Sequence, residues 1–245
     1  PIILILIIFA VFGALAPRFL EWSSFLNILK QSSHIGILAV GMTFVLLTAG
    51  IDLSVGSIMY LAAVVFGLLV VTYDAPIWLG LLGCLATGVA FGAVNAFLIT
   101  RLNVIPFIVT LSTLIAGRGL GLAITRSRGI TLPNDVFTLS SLTPLGVPIS
   151  IWVFAVVVLI AAIILRFTSF GRRVYAVGNN AEVAEKSALS PRRTIGAVYL
   201  ISGFCAALAA FVGISQLGIV NPAFGEMDEL DAIAAAVLGG ASLFG

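Results

Sequence analysis

The residues able to do chemistry in this chain are few, and they sit where long apolar runs are interrupted. The segment GIDLSVGS, residues 50–57, places one carboxylate and two hydroxyls between the apolar runs 35–49 and 53–71. A helix end in a bilayer exposes unpaired backbone groups, each costing several kcal/mol unless satisfied. Gly50 can close the preceding helix, and Asp52 and Ser54 can cap the next. The same residues also suit a broken helix beside a translocation path, where polar atoms and helix ends meet solute. The two readings are compatible. Arg118 lies inside the run 104–125 between Gly117 and Gly119. It is costly there unless it snorkels to the head groups or serves as a gate or docking contact. Asn95 and Gln216 are lone polar residues near helix ends, suited to interhelical hydrogen bonds. Gly50, Asp52, Ser54, Asn95 and Arg118 are the candidates for a translocation path.

Two further clusters face outward on this reading. Glu226, Asp228, Glu229 and Asp231 precede the apolar run 232–238, which is too short to span and ends in Gly239-Gly240. Asp231 is the expected N-cap, with Asp228 and Glu229 near the positive end of that helix, and the paired glycines suggest a re-entrant element. These four acids, with Arg126 and Arg128, are candidates for docking a partner on the outer face.

The segment 166–194 is the third cluster. After Phe170-Gly171-Arg172-Arg173 comes GNNAEVAEKSAL, residues 178–189, closed by Ser190-Pro191. Asn179 with Glu182 has the form of a capping box, Asn180 is an alternative cap, and Pro191 ends the segment. A short helix over 181–189, lying across one face of the membrane, follows. It is either an ordered loop or a knob that docks a soluble partner and transmits its motion.

Much chemistry is absent. No GxxxxGK[ST] phosphate loop occurs, so ATP is not bound by that route. The single histidine, His34, stands at a helix start with no nucleophile pattern near it, and reads as a cap or interface residue. Cys84 and Cys205 lie in apolar runs without metal spacing and read as helix-packing residues; no metal site is indicated. The mid-helix carboxylates of proton-coupled carriers are missing, so energy comes from a partner or the pathway is passive. A net charge of +2 is too weak for nucleic-acid binding.

The elements that must hold these residues follow from composition. Hydrophobic residues make up 61% of the 245 positions and charged residues 9%, too few to coat a soluble domain. Apolar runs cover 2–16, 35–49, 53–71, 77–100, 104–125, 149–165, 195–217 and 232–238. As one helix, 35–71 would reach about 55 Å, nearly twice a bilayer's hydrocarbon core, so it breaks into two pieces. The segment 166–194 holds Arg166, Arg172, Arg173, Lys186, Arg192 and Arg193 against Glu182 and Glu185, which places it in the cytoplasm. Counting outward puts Arg101 inside, and Arg18, Glu21, Lys30, Asp74, 126–149 and 226–231 outside, although Arg126 and Arg128 weigh mildly against this. Gly88-x-x-x-Gly92 and Gly117-x-x-x-Gly121 have the spacing of close helix packing. The expected fold is all-α: one polytopic transmembrane bundle over 1–245, with short re-entrant or broken helices and a cytoplasmic coupling helix. Both ends read as cut, so a longer chain is expected.

Together these motifs resemble the permease subunits of ABC importers for simple sugars, of the ribose, xylose and arabinose type. The matching blocks are VGMTFVLLTAGIDLSVGS (40–57), NVIPFIVTLSTLIAGRGL (103–120), TSFGRRVYAVGNNAEVAEKSAL (168–189) and ELDAIAAAVLGGASLFG (229–245). The family usually has a basic leader and about two more helices. The resemblance implies a multi-pass protein of the bacterial inner membrane, paired as a homodimer that forms the pathway. It implies a cytoplasmic ABC ATPase that binds the ATP, and a periplasmic or lipid-anchored sugar-binding protein. The third block would couple to the ATPase through Gly171, Arg172, Gly178, Asn179, Asn180, Glu182, Ala184 and Ser187, with no catalysis or cofactor in the chain itself. The expected function is transport of a monosaccharide or similar small polar solute. The rivals are a permease for branched-chain amino acids or nucleosides, and an ion-coupled carrier or channel.

Overall fold

The computed structural model describes residues 2–16 and 18–242; Pro1 and residues 243–245, the end of the C-terminal block, lie outside the described residues. Six helices among the described residues are long and apolar enough to cross a membrane. They are α2 (Trp22–Leu46), α3 (Val55–Gly67, extended by a π turn through Thr72), α4 (Ile77–Arg101), α5 (Pro106–Thr125), α7 (Ile149–Phe167) and α10 (Pro191–Leu217). Shorter helices are α1 (Ile2–Leu15), α6 (Asn134–Ser141), α8 (Ser169–Asn179), α9 (Ala181–Lys186) and α11 (Asp228–Leu238). The all-α bundle expected from the sequence is what forms, with one two-residue pairing, β1 (Ile130–Thr131) against β2 (Ile219–Val220).

The long run 35–71 divides into two crossings. Helix α2 stops at Leu46, Ala49 takes a left-handed φ of 56°, and the Gly50 N–H returns to the Val45 carbonyl at 3.1 Å. Gly50 therefore closes the helix as its position suggested. Helix α2 also starts well before its apolar run, at Trp22, and carries Lys30 and His34 within it.

Helix α3 is the most buried of the six crossings. Of its most apolar window 72% is buried, against 6% for α7, so α3 fills the centre while α7 meets lipid. Close approach of the helices depends on glycine. A Cβ at Gly88 or Gly92 of α4 would strike the carbonyls of Gly203 or Tyr199 on α10. Gly117 and Gly121 of α5 leave room for Ser57 and Tyr60 of α3. Cys84 donates its thiol to the Ala207 carbonyl at 3.3 Å, and Cys205 is buried against Gly41, so both cysteines pack helices together.

One end of the bundle gathers Arg101, Arg192 and Arg193 around a single pocket, with Arg166, Arg172, Arg173 and Lys186 on the adjoining helices. The opposite end carries β1, β2 and Asp74. The basic end is the one the sequence reading places in the cytoplasm.

The acidic segment departs from its expected place. Rather than staying on the outer face, the chain after β2 turns into the bundle. Gly225 (φ 72°) and Met227 (φ 69°) reverse its course, and Gly225 is pressed against Gly56 of α3. Helix α11 then starts deep among the helices and runs toward the basic end, where Gly239, Gly240 and Ala241 share a groove with Leu47 and Leu165. The left-handed turn starts the helix at Asp228, so Asp231 falls in its first turn and is not the N-cap, a position held by Met227. The re-entrant expectation for this segment fits its course.

Candidate functional site

Asp52 lies in the break between α2 and α3, and its carboxylate gathers three hydrogen bonds. One oxygen accepts the Ser54 N–H at 3.0 Å and the Ser54 hydroxyl at 2.5 Å; the other accepts the Ser202 hydroxyl of α10 at 2.7 Å. Ser54 Oγ in turn accepts from Asn95 Nδ2 of α4 at 2.8 Å, and Asn95 Oδ1 accepts from Thr113 of α5 at 2.8 Å. Ser57 donates to the Ser54 carbonyl at 2.8 Å, and Thr110 to that of Ile51 at 3.2 Å. One polar knot thus ties four helices, and Asp52, Ser54 and Asn95 are each 0% exposed. In a low-dielectric interior such a network holds firmly when its members are paired, since each lost partner strands another.

Three of the expected path residues, Asp52, Ser54 and Asn95, are therefore joined, with Gly50 beside them against the Tyr199 hydroxyl, which is buried and has no hydrogen-bond partner among the described residues. The capping expectation needs one correction: Ser54 occupies the N-cap position but makes no side-chain cap bond, because its hydroxyl is turned to Asp52. Thr110, Thr113, Ser57 and Ser202 were not singled out from the sequence. Hydroxyls in transmembrane helices commonly bond their own backbone, as Thr113 also does with Val109 at 3.0 Å. The usable signal was Ser202-Gly203 at mid-helix in α10.

Arg118 stands apart and half-buried. Its Nη1 donates to the carbonyls of Phe224 at 2.7 Å and Pro222 at 3.1 Å, and its guanidinium sits 5.0 Å from the centre of the Tyr60 ring. It does not snorkel to the head groups: two carbonyls and an aromatic face supply nearer partners, while Asp228 and Glu229 feel its charge. Arg118 thereby fixes the inward-turning segment 221–227.

That segment walls a cleft of about 450 Å³, together with Gln31 and His34 of α2 and Gly213 and Gln216 of α10. Gln216 makes the interhelical bonds expected of it, donating to the Lys30 carbonyl at 3.0 Å and the Ser33 hydroxyl at 3.2 Å. Asp228 is half-buried, and Glu229 is buried against Gly56, while Glu226 and Asp231 are exposed. Arg126 and Arg128 are exposed at the end of α5, away from this cleft.

At the basic end, Thr168 Oγ1 accepts the Gly171 N–H at 3.2 Å and starts α8, a helix the sequence reading passed over. Asn180 Oδ1 accepts the Val183 N–H at 3.0 Å, so Asn180 and not Asn179 caps α9, because α8 already runs through Asn179. Helix α9 ends at Lys186, short of 189, where Ala188 turns left-handed (φ 61°). Arg172, Asn179, Asn180, Glu182 and Ser187 are exposed, whereas Gly171 and Ala184 face inward. Gly178 touches the chain just before the Asp52 break: a Cβ there would collide with the Leu47 carbonyl.

Residues 24–245 match a sequence-family model described as the permease component of the branched-chain amino acid transport system. The ribose import permease protein of Haemophilus influenzae is 37% identical over 99% of this chain and 76% of its own length. That of Bacillus subtilis is 38% identical over 100% of this chain and 77% of its own length. The D-allose transport system permease protein of Escherichia coli is 35% identical over 98% of this chain and 74% of its own length. No solved structure matches.

Proposed function

The chain belongs to the permease subunits of ABC importers, the family of these relatives, and from that premise we propose that it forms the pathway for a monosaccharide or similar small polar solute. Proteins similar along almost the whole chain are named for ribose, D-allose and fructose. As a non-catalytic subunit of a bacterial inner membrane, it would draw work from a cytoplasmic ATPase that binds and hydrolyses the ATP. A binding protein outside would deliver the solute, and a second copy of the chain would complete the pathway.

The observation that carries this mechanism is the seating of α8 on the end of α2. A push on the exposed α9 knob reaches Leu47 through Gly178, and Leu47 leads directly into the break tied by Asp52. Nucleotide binding on the partner would bias the pathway between inward- and outward-open states through that contact. The knob presents Glu182 and Val183 to solvent, the latter 57% exposed, where a partner could cover them.

Co-purification with the ATPase, followed by ATP-dependent uptake, tests this. Glu182→Arg combined with Val183→Asp is expected to abolish ATPase binding and uptake while membrane insertion persists. Normal transport by that double variant would refute the coupling role. The description of the matching family model favours a second reading, a branched-chain amino acid as solute. Competition of L-leucine against D-ribose for uptake decides between them.

A further inference from the structure

Arg101, Arg173, Arg192 and Arg193 gather at the basic end with no counter-charge. The one ion pair among the described residues, Lys186 with Glu182, does not involve them. They line two adjoining pockets, one of about 320 Å³ walled by Thr100, Arg101 and Arg192, the other of about 380 Å³ walled by Phe170 and Arg173. Ser190 and Arg193 belong to both, and no carboxylate lines either. Ser190 holds the N-cap position of α10 but makes no side-chain cap bond. The first backbone N–H groups of a helix have no intrahelical partner, so the positive end of α10 adds to the charge of the arginines. Cations crowded in this way repel one another, and an anion between them relieves the repulsion.

Position narrows the kind of anion. Helices α4 and α10 are both long and apolar enough to cross a membrane, and the pockets lie at their basic ends, where a crossing helix meets the phosphates of the inner leaflet. Beyond the arginines both helices turn apolar side chains outward. Phe97 and Val94 of α4 are exposed on the face of Arg101, and Leu200 and Phe204 of α10 on the face of Arg193, at helical spacing. A phosphate head with acyl chains along these stripes uses both features, whereas a soluble acidic segment would use the arginines alone.

We propose that the paired pockets bind an anionic phospholipid with two phosphates, of the cardiolipin class, in the inner leaflet. One phosphate sits with Arg101 and Arg192 and the other with Arg173, while Arg193 and the Ser190 hydroxyl stand between them. Guanidinium groups take phosphate oxygens through parallel N–H bonds, which suits arginine better than lysine here. The lipid would tie α4 and α10 to α8, the helix whose Gly178 bears on Leu47, and so steady the seat of the coupling segment. The inference needs the membrane orientation given above and not the identity of the solute.

Native mass spectrometry of the full-length protein with its ATPase, delipidated in detergent and titrated with cardiolipin, tests it. Cardiolipin is expected to bind about tenfold more tightly than phosphatidylglycerol, which carries one phosphate. Arg101→Gln combined with Arg193→Gln should weaken cardiolipin binding about tenfold or more, and Arg101→Lys combined with Arg193→Lys, which keeps the charge, by less. Arg126→Gln combined with Arg128→Gln, at the opposite end, should leave it unchanged. All these side chains are exposed, so each variant should keep the wild-type thermal midpoint in the absence of lipid. Equal affinity for the two lipids, or full cardiolipin binding after Arg101→Gln with Arg193→Gln, would overturn the site. Displacement of the lipid by excess inorganic phosphate would make the pockets a free-phosphate site and refute it too. Loss of the ATPase by that variant with cardiolipin binding intact would assign the arginines to the partner subunit, and the lipid site would fall while the coupling role stands.

Discussion

Two buried polar regions of this bundle are built to opposite standards. Around Asp52 the charged and amide groups find partners: its carboxylate accepts from Ser54 and Ser202, and Asn95 is bonded at both ends of its amide. In the inward-turning segment 221–227, Asn221 Oδ1 is equally shielded and finds no hydrogen-bond partner among the described residues. The first arrangement joins helices that could not otherwise hold a carboxylate in the membrane. The second leaves a buried acceptor unsatisfied. Satisfied networks rigidify, and an unpaired polar atom adds nothing to that hold.

Removing the centre of the first region should have the largest effect. Asp52→Ala would strand the Ser54 and Ser202 donors together, and a loss of about 3–5 kcal/mol is expected, read as poor expression and a lowered midpoint in chemical denaturation. A near-neutral result would show that the knot does not hold the bundle. Arg118→Met comes next: losing two carbonyl bonds and the Tyr60 face should cost about 2 kcal/mol and loosen segment 221–227, seen as faster hydrogen exchange there.

Tyr199→Phe probes the one loose hydroxyl beside the knot. Deleting an unpaired buried hydroxyl should leave thermal stability unchanged or raise it by about 1 kcal/mol; a marked loss would reveal a partner for that phenol. Asn221→Ala should shift stability least, within about 0.5 kcal/mol, because its Oδ1 has no hydrogen-bond partner among the described residues. The contrast between Asp52→Ala and Asn221→Ala, one costly and the other near neutral to stability, is the sharpest form of the comparison.

Much of this architecture could be read directly from the residues. The apolar runs located the crossings, Gly50 the end of α2, and Gly88/Gly92 and Gly117/Gly121 the close helix pairs, because hydrophobic length and small-residue spacing are local properties. Asp52, Ser54 and Asn95 were visible as polar exceptions, yet nothing in their spacing showed that residues 41 or 150 positions apart would meet. The cleft was less legible still. Positive-φ turns at Gly225 and Met227 send the acidic segment inward, whereas charge counting alone left it on the surface. Arg118 was read against the head groups because its carbonyl partners lie more than a hundred positions away. Helix α8 escaped notice because its cap, Thr168, directly follows the end of α7 with no loop between them.

The measurement that bears most directly on the whole account is D-ribose uptake into proteoliposomes holding this chain, its ATPase and the binding protein. The account predicts that replacing the ATPase with a form that binds but cannot hydrolyse ATP stops uptake, while an ionophore that collapses ion gradients leaves it unchanged. Undiminished accumulation without hydrolysis, or its loss to the ionophore alone, would contradict a pathway driven through Gly178 and the α9 knob.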